Sequence, residues 1–144
     1  MRILAVDLGK ARTGLAVCDE GERLASPAGV IQEYNREKLA VTIAEQAKAY
    51  GVGEIVVGLP RNMDGSEGES AQGARLFAEQ LRALTELPVA LQDERGTTIT
   101  AHGYLNETDT RGKKRKAVVD AVAATIILED YLMRRRNGGN PANV

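Results

Sequence analysis

Near the N-terminus two apolar runs stand too close together to be joined by a helix. Ile3-Leu4-Ala5-Val6 stops at Asp7-Leu8-Gly9, and Thr13-Gly14-Leu15-Ala16-Val17 begins after Lys10-Ala11-Arg12. Parallel strands need a crossover of a dozen or more residues, so these two must pair antiparallel, as strands over 2–7 and 13–19. A third strand is expected over 28–32, entered through Pro27. The pattern then changes period. Asn35 reads as a helix N-cap, Leu39, Ile43, Ala47 and Tyr50 share one face, and Gly51 and Gly53 close a helix over 36–50. Glu54–Gly58 is a short buried strand. A helix over 71–84 carries Ala74, Phe77, Ala78 and Leu81 on one side, and Val89–Gln92 is a fifth strand. Strands joined through helices pair in parallel. The expected class is therefore α/β: a five-stranded mixed sheet, three antiparallel strands and then two parallel, flanked by helices. Beyond it lie a short helix over 97–104, a polar basic loop over 106–116 and a last helix over 117–136. Residues 1–137 read as one domain and 138–144 as a flexible tail.

With 144 residues and 43% hydrophobic content, one domain can bury a core without disulfides. Cys18 is the only cysteine and His102 the only histidine, which excludes a Cys/His zinc cluster. Cys18 reads as a small buried hydrophobe, and His102 as a helix-surface residue. The strand pattern starts at Met1-Arg2-Ile3-Leu4 and no apolar run reaches membrane-spanning length, so a cytoplasmic protein with no membrane association is expected. A net charge of −1 gives no global sign of nucleic-acid binding, but the cations are unevenly placed. Arg134-Arg135-Arg136 closes a helix, where positive charge is favourable. Arg111-Gly112-Lys113-Lys114-Arg115-Lys116 precedes one, where it is unfavourable, and phosphate is the natural partner for such a run.

Three acids stand where a carboxylate is costly. Asp7 ends an apolar strand, and an uncompensated carboxylate there is expensive to bury. The plainer alternative is an aspartate that bonds its own turn. Asp93 and Glu94 follow the fifth strand, and the period of two puts them on opposite faces, so one of them at most points into a shared site. Asp120 falls on the apolar face of the last helix with Ala124, Ile127 and Tyr131, in an early turn. The small Ala123 and Ala124 let that helix approach the sheet, bringing Asp120 towards Asp7. Carboxylates converging without His or Cys select a hard divalent cation, Mg²⁺ or Mn²⁺. Such a centre suits phosphodiester hydrolysis.

Four segments, in order, resemble a known family: Val6-Asp7-Leu8-Gly9 with Thr13-Gly14-Leu15-Ala16; Val57-Gly58-Leu59-Pro60; Asp93-Glu94-Arg95 with Thr97-Thr98; and Asp120-Ala121-Val122-Ala123-Ala124 with Ile127-Leu128. Their order and spacing over nearly the whole chain are similar to the YqgF, or RuvX-like, family of Holliday-junction resolvases. The resemblance implies an RNase H-like fold and a cytoplasmic nuclease using one or two Mg²⁺ or Mn²⁺ ions. It implies action on nucleic acid, either in 5′-end maturation of the small-subunit (pre-16S) ribosomal RNA precursor or on branched DNA. On the matching positions, Asp7, Glu94 and Asp120 would be the catalytic, metal-holding triad, with Gly58-Leu59-Pro60 at the rim. Arg12, Arg61, Arg95, Lys113, Lys114, Arg115 and Lys116 would hold the strand. A monomer or weak homodimer is expected.

Two other classes compete. A phosphate-binding ATPase also uses a D-x-G turn, but Gly9-Lys10 and Gly112-Lys113 lack the G-x-x-x-x-G-K-[ST] pattern. A non-catalytic nucleic-acid binder could keep the same fold. One Phe and no Trp leave little for an exposed base-stacking platform.

Overall fold

A computed structural model describes residues 1–94 and 112–138, with side chains from 120 onward in the second stretch. The elements follow the order β1 (Ile3–Asp7), β2 (Arg12–Cys18), β3 (Ala25–Gln32), α1 (Arg36–Tyr50), β4 (Glu54–Leu59), α2 (Glu69–Thr85), β5 (Val89–Asp93) and α3 (Gly112–Arg136). One sheet runs β3-β2-β1-β4-β5. The β1–β2 and β2–β3 pairs are antiparallel; β1–β4 and β4–β5 are parallel. The mixed sheet is the one expected from the pattern of short and helix-length connections.

Alternation along the strands divides the interior in two. Leu4, Val6, Leu15, Ile55, Val57, Leu59, Val89 and Leu91 pack against α1 and α2 with Leu39, Ile43, Phe77 and Leu81. Ile3, Ala5, Ala16, Val56 and Ala90 pack against α3 with Ala124, Ile127, Leu128 and Tyr131. The second layer is built of small sheet residues, so α3 lies close to the sheet. The helical face expected for Asp120, Ala124, Ile127 and Tyr131 is the one buried.

Local signals hold where they were read. Asn35 caps α1 by accepting from the Lys38 amide at 3.0 Å, and Gly51 ends it in the left-handed conformation. Cys18 is buried and accepts the Ile3 amide at 3.2 Å. β3 begins earlier than expected, at Ala25, with Pro27 inside it. Proline is tolerated because β3 is an edge strand, where a missing amide breaks no ladder bond.

Two expectations change at α3. The basic run does not end a loop: Lys113, Lys114, Arg115 and Lys116 already belong to the helix, whose register begins at Gly112. Asp120 is consequently more than two turns in, beyond the reach of the helix N-terminus, so the dipole offers its carboxylate little. Long basic side chains have good helix propensity, and here that outweighed their unfavourable place in the dipole. The expected helix over 97–104, His102, and the tail beyond Gly138 lie outside the described residues.

Candidate active site

The site forms at the C-terminal ends of β1, β4 and β5, under the N-terminal half of α3. Asp7 continues the Ile3–Ala5 alternation and therefore faces α3. Its register partner on β2 is Gly14. A Cβ on Gly14 would stand 2.0 Å from the Asp120 carbonyl oxygen, so only glycine lets the α3 backbone reach the sheet here. That contact delivers Asp120 to the neighbourhood of Asp7.

Gly58 does the same for the third acid. A Cβ there would meet Glu94 Oε2 at 2.3 Å and Ile127 Cδ1 at 2.7 Å. The Glu94 amide donates to the Leu59 carbonyl at 3.2 Å, which fixes the chain as it leaves β5. Glu94 thus lies over the end of β4 and bonds Asp7 side chain to side chain. Its neighbour Asp93 goes to the opposite face and approaches Arg61, with Nη1 3.8 Å away. The alternation read from the sequence therefore separates the two acids as expected.

The electrostatics follow from this geometry. Burial pushes the Asp7 carboxyl up to about 6; the hydrogen bond from Glu94 opposes the rise and the charge on Asp120 adds to it. Burial, with the charge of Asp7 and the hydrogen bond to it, pushes Glu94 up to about 8. Both shifts run in the same direction because two carboxyls buried against each other favour holding a proton between them. Asp120 is also raised by burial, against the pull of Arg12, whose Nε is 3.2 Å from Oδ2. The ion pair is poorly aligned: both Arg12 Nε and Asp120 Oδ2 are buried without a hydrogen-bond partner. Among the described residues, no three His, Cys, Asp or Glu side chains are gathered tightly enough to hold a metal ion as they stand.

Residues 1–134 match the family described as "RuvX: Holliday junction resolvase". The chain belongs to the RuvX family. A relative from Anaeromyxobacter sp. (strain Fw109-5), named "Putative pre-16S rRNA nuclease", is 46% identical over 132 residues, spanning 92% of this chain and 96% of that one. Another of that name, from Moorella thermoacetica, is 42% identical over 139 residues, 96% and 99% of the two chains. Among solved structures, T. thermophilus RuvC in complex with Holliday junction substrate superposes with a TM-score of 0.62 at 12% identity, covering 98% of this chain and 99% of that one. The fowlpox virus resolvase with Holliday junction DNA gives 0.60 at 9% identity, covering 94% and 99%. These likenesses establish the RNase H-like fold implied by the sequence.

Of the strand-holding residues expected, Arg12 and Arg61 are at the site, but each holds acids. Arg12 pairs with Asp120; Arg61 pairs with Asp93 and, at 3.4 Å, with Glu67, which Arg75 also grips at 2.7 Å. Arg95 lies outside the described residues, as do the side chains of Lys113, Lys114, Arg115 and Lys116. Sequence reading placed Gly58 at the rim and missed its role as the seat of Glu94. A glycine opposite a strand-end acid was the available signal.

Proposed function

We propose that this RuvX-family chain is a divalent-metal-dependent nuclease, and that its substrate is the pre-16S ribosomal RNA precursor. The observation that carries the reading is the Asp7–Glu94 pair. Two acids are buried against each other at the strand ends, beside an Asp120 whose ion pair with Arg12 makes no hydrogen bond. Such a donor set fits a hard cation: all oxygen, partly dehydrated, and destabilised by its own charge until neutralised. The relatives named as pre-16S rRNA nucleases support the choice of substrate.

Asp7, Glu94 and Asp120 would hold one or two Mg²⁺ or Mn²⁺ ions. Bound there, the cation supplies charge for the phosphorane-like transition state and acidifies a water. The chain's own part is positional. Gly14 and Gly58 fix the three acids relative to one another, and burial keeps competing water away from them. Glu94 would have to be deprotonated to serve as a ligand for such a cation. Arg12 and Arg61 exchange carboxylate for phosphate as the strand arrives.

A second reading is favoured by the family description: cleavage of four-way DNA junctions. It requires two active sites and hence a symmetric dimer. Purified wild type and Asp7→Asn, each given labelled ribosomal RNA precursor and a four-way junction with Mg²⁺, Mn²⁺ or chelator, separate the cases. Metal-dependent cutting by wild type alone is expected, on the precursor. Cutting of the junction alone selects the second reading. Binding without cutting by both proteins makes the chain a non-catalytic binder.

A further inference from the structure

On the other side of the strand ends, away from Asp120, a cavity of about 570 Å³ opens between the β1–β2 turn, the start of α1 and the first turns of α2. Its volume falls in the roughly 300–1,000 Å³ range of small-ligand clefts. It shares a rim with the acidic site. Leu8-Gly9-Lys10 follows Asp7 directly, and Pro60 follows the Leu59 whose carbonyl anchors Glu94. The carboxylates and the cavity thus lie on opposite faces of one sheet edge, a residue or two of backbone apart.

We propose that this cavity receives an unpaired nucleotide of the strand being cut. The inference rests on the nuclease reading for its choice of occupant. The lining has the mixed chemistry a nucleotide needs. Leu76, 65% exposed, gives an apolar wall, and the core ring of Phe77, 1% exposed, lies beneath it. Arg36 lies 6.0 Å from the Phe77 ring centroid, presenting a flat cation on which a base stacks. Lys10 stands at the mouth, and among the described residues neither Lys10 nor Arg36 has an acidic partner. The first turn of α2 borders the same space through Glu69 and Ser70. Glu69 also lines the cavity; it lies in the first turn of α2, where an acid complements the helix dipole. An apolar peptide would leave both cations uncompensated, and an acidic one would not use the stacking surface.

A base held on this side would pull the backbone across the strand ends, so the next phosphate falls beside Asp7. The consequence is a requirement for at least one unpaired nucleotide next to the cleaved bond. A continuous duplex could not supply it without paying to extrude a base.

Gly73 gives a clean test. Gly73 lines the cavity and a Cβ there meets nothing within 4 Å, so Gly73→Leu adds bulk to the cavity from an open position and adds helix propensity. Binding is measured by anisotropy with the Asp7→Asn chain in chelator, so the readout does not depend on cleavage. The probe is a labelled single-strand-bearing RNA, with an abasic site moved one position at a time. One abasic position should weaken binding about tenfold, and that penalty should vanish when Gly73→Leu is added. Abasic penalties unchanged by Gly73→Leu, no sensitive position, or no measurable binding would each overturn the proposal. Adenosine monophosphate alone binding at micromolar concentration without displacing the RNA would also overturn it, marking a free-nucleotide site. Metal-dependent cutting by the otherwise wild-type chain is scored separately. Its absence would sink the nuclease reading while leaving the binding pattern to stand or fall by itself.

Discussion

The two ends of the sheet carry acids under the same helix and treat them oppositely. At the N-terminal end of β4, Glu54 accepts a hydrogen bond from the Tyr131 hydroxyl and lies 3.5 Å from Arg135. Arg135 in turn bonds Glu22 at 2.7 Å, and Glu22 also meets the Met1 ammonium at 3.3 Å. Every acid in that network has a donor or a cation. At the other end, Asp7 and Glu94 are bonded chiefly to each other, and Asp120 meets Arg12 in an ion pair that makes no hydrogen bond. Burial alone therefore does not mark a functional acid. Incomplete compensation does, because a fold that can satisfy Glu54 could satisfy Asp7 by the same means.

The largest test of this contrast is Asp7→Asn. It should cut cleavage by about 10²–10⁴-fold while leaving the chain folded, since it removes a charge the fold does not compensate. A variant that unfolds instead would make Asp7 structural, like Glu54. Next is the cation itself. Millimolar Mg²⁺ or Mn²⁺ at pH 8 should raise the melting temperature of wild type by a few degrees and that of Asp7→Asn by much less. Equal shifts in the two proteins would place cation binding elsewhere.

The pH dependence in chelator is smaller and has a definite sign. Asp7 and Glu94 have folded pKa values raised to about 6 and about 8, above their ordinary 3.8 and 4.5. Between those limits the folded chain binds more protons than the unfolded one, so stability falls as pH rises. The loss is complete above about 8 and absent below about 4. Unfolding titrations from pH 5 to 8 should show this slope in wild type and a flatter one in Asp7→Asn. A rising slope in wild type would contradict the shared proton. The smallest expected effect is at the satisfied end. Tyr131→Phe removes one donor to Glu54 and should cost about 1 kcal/mol, with cleavage per folded molecule unchanged.

Much of this arrangement was legible from local pattern. Connection length set the strand directions, because a hairpin-length link cannot make a parallel pair. Period two sent Asp93 and Glu94 to opposite faces, and period 3.6 put Asp120 on the buried side of its helix. Each is a rule about neighbours in the chain, and backbone geometry enforces it whatever the rest of the molecule does. The start of α3 was less legible, since the propensity of Lys113–Lys116 and their place in the dipole pull in opposite directions.

Only the tertiary structure decided what each acid meets. Gly14 and Asp120 are more than a hundred residues apart, yet the contact of their backbones sets how close α3 comes to Asp7. Gly58 and Glu94 are joined in the same way through the β4–β5 pairing. The partnering of Arg12 with Asp120 and of Arg61 with Glu67 and Asp93 arises from that packing as well, as does the cavity behind Asp7. A sequence determines which groups are present and which face of an element they share. Whether a carboxylate finds a cation, another carboxylate or nothing depends on distances between separate elements, which are fixed only when those elements pack.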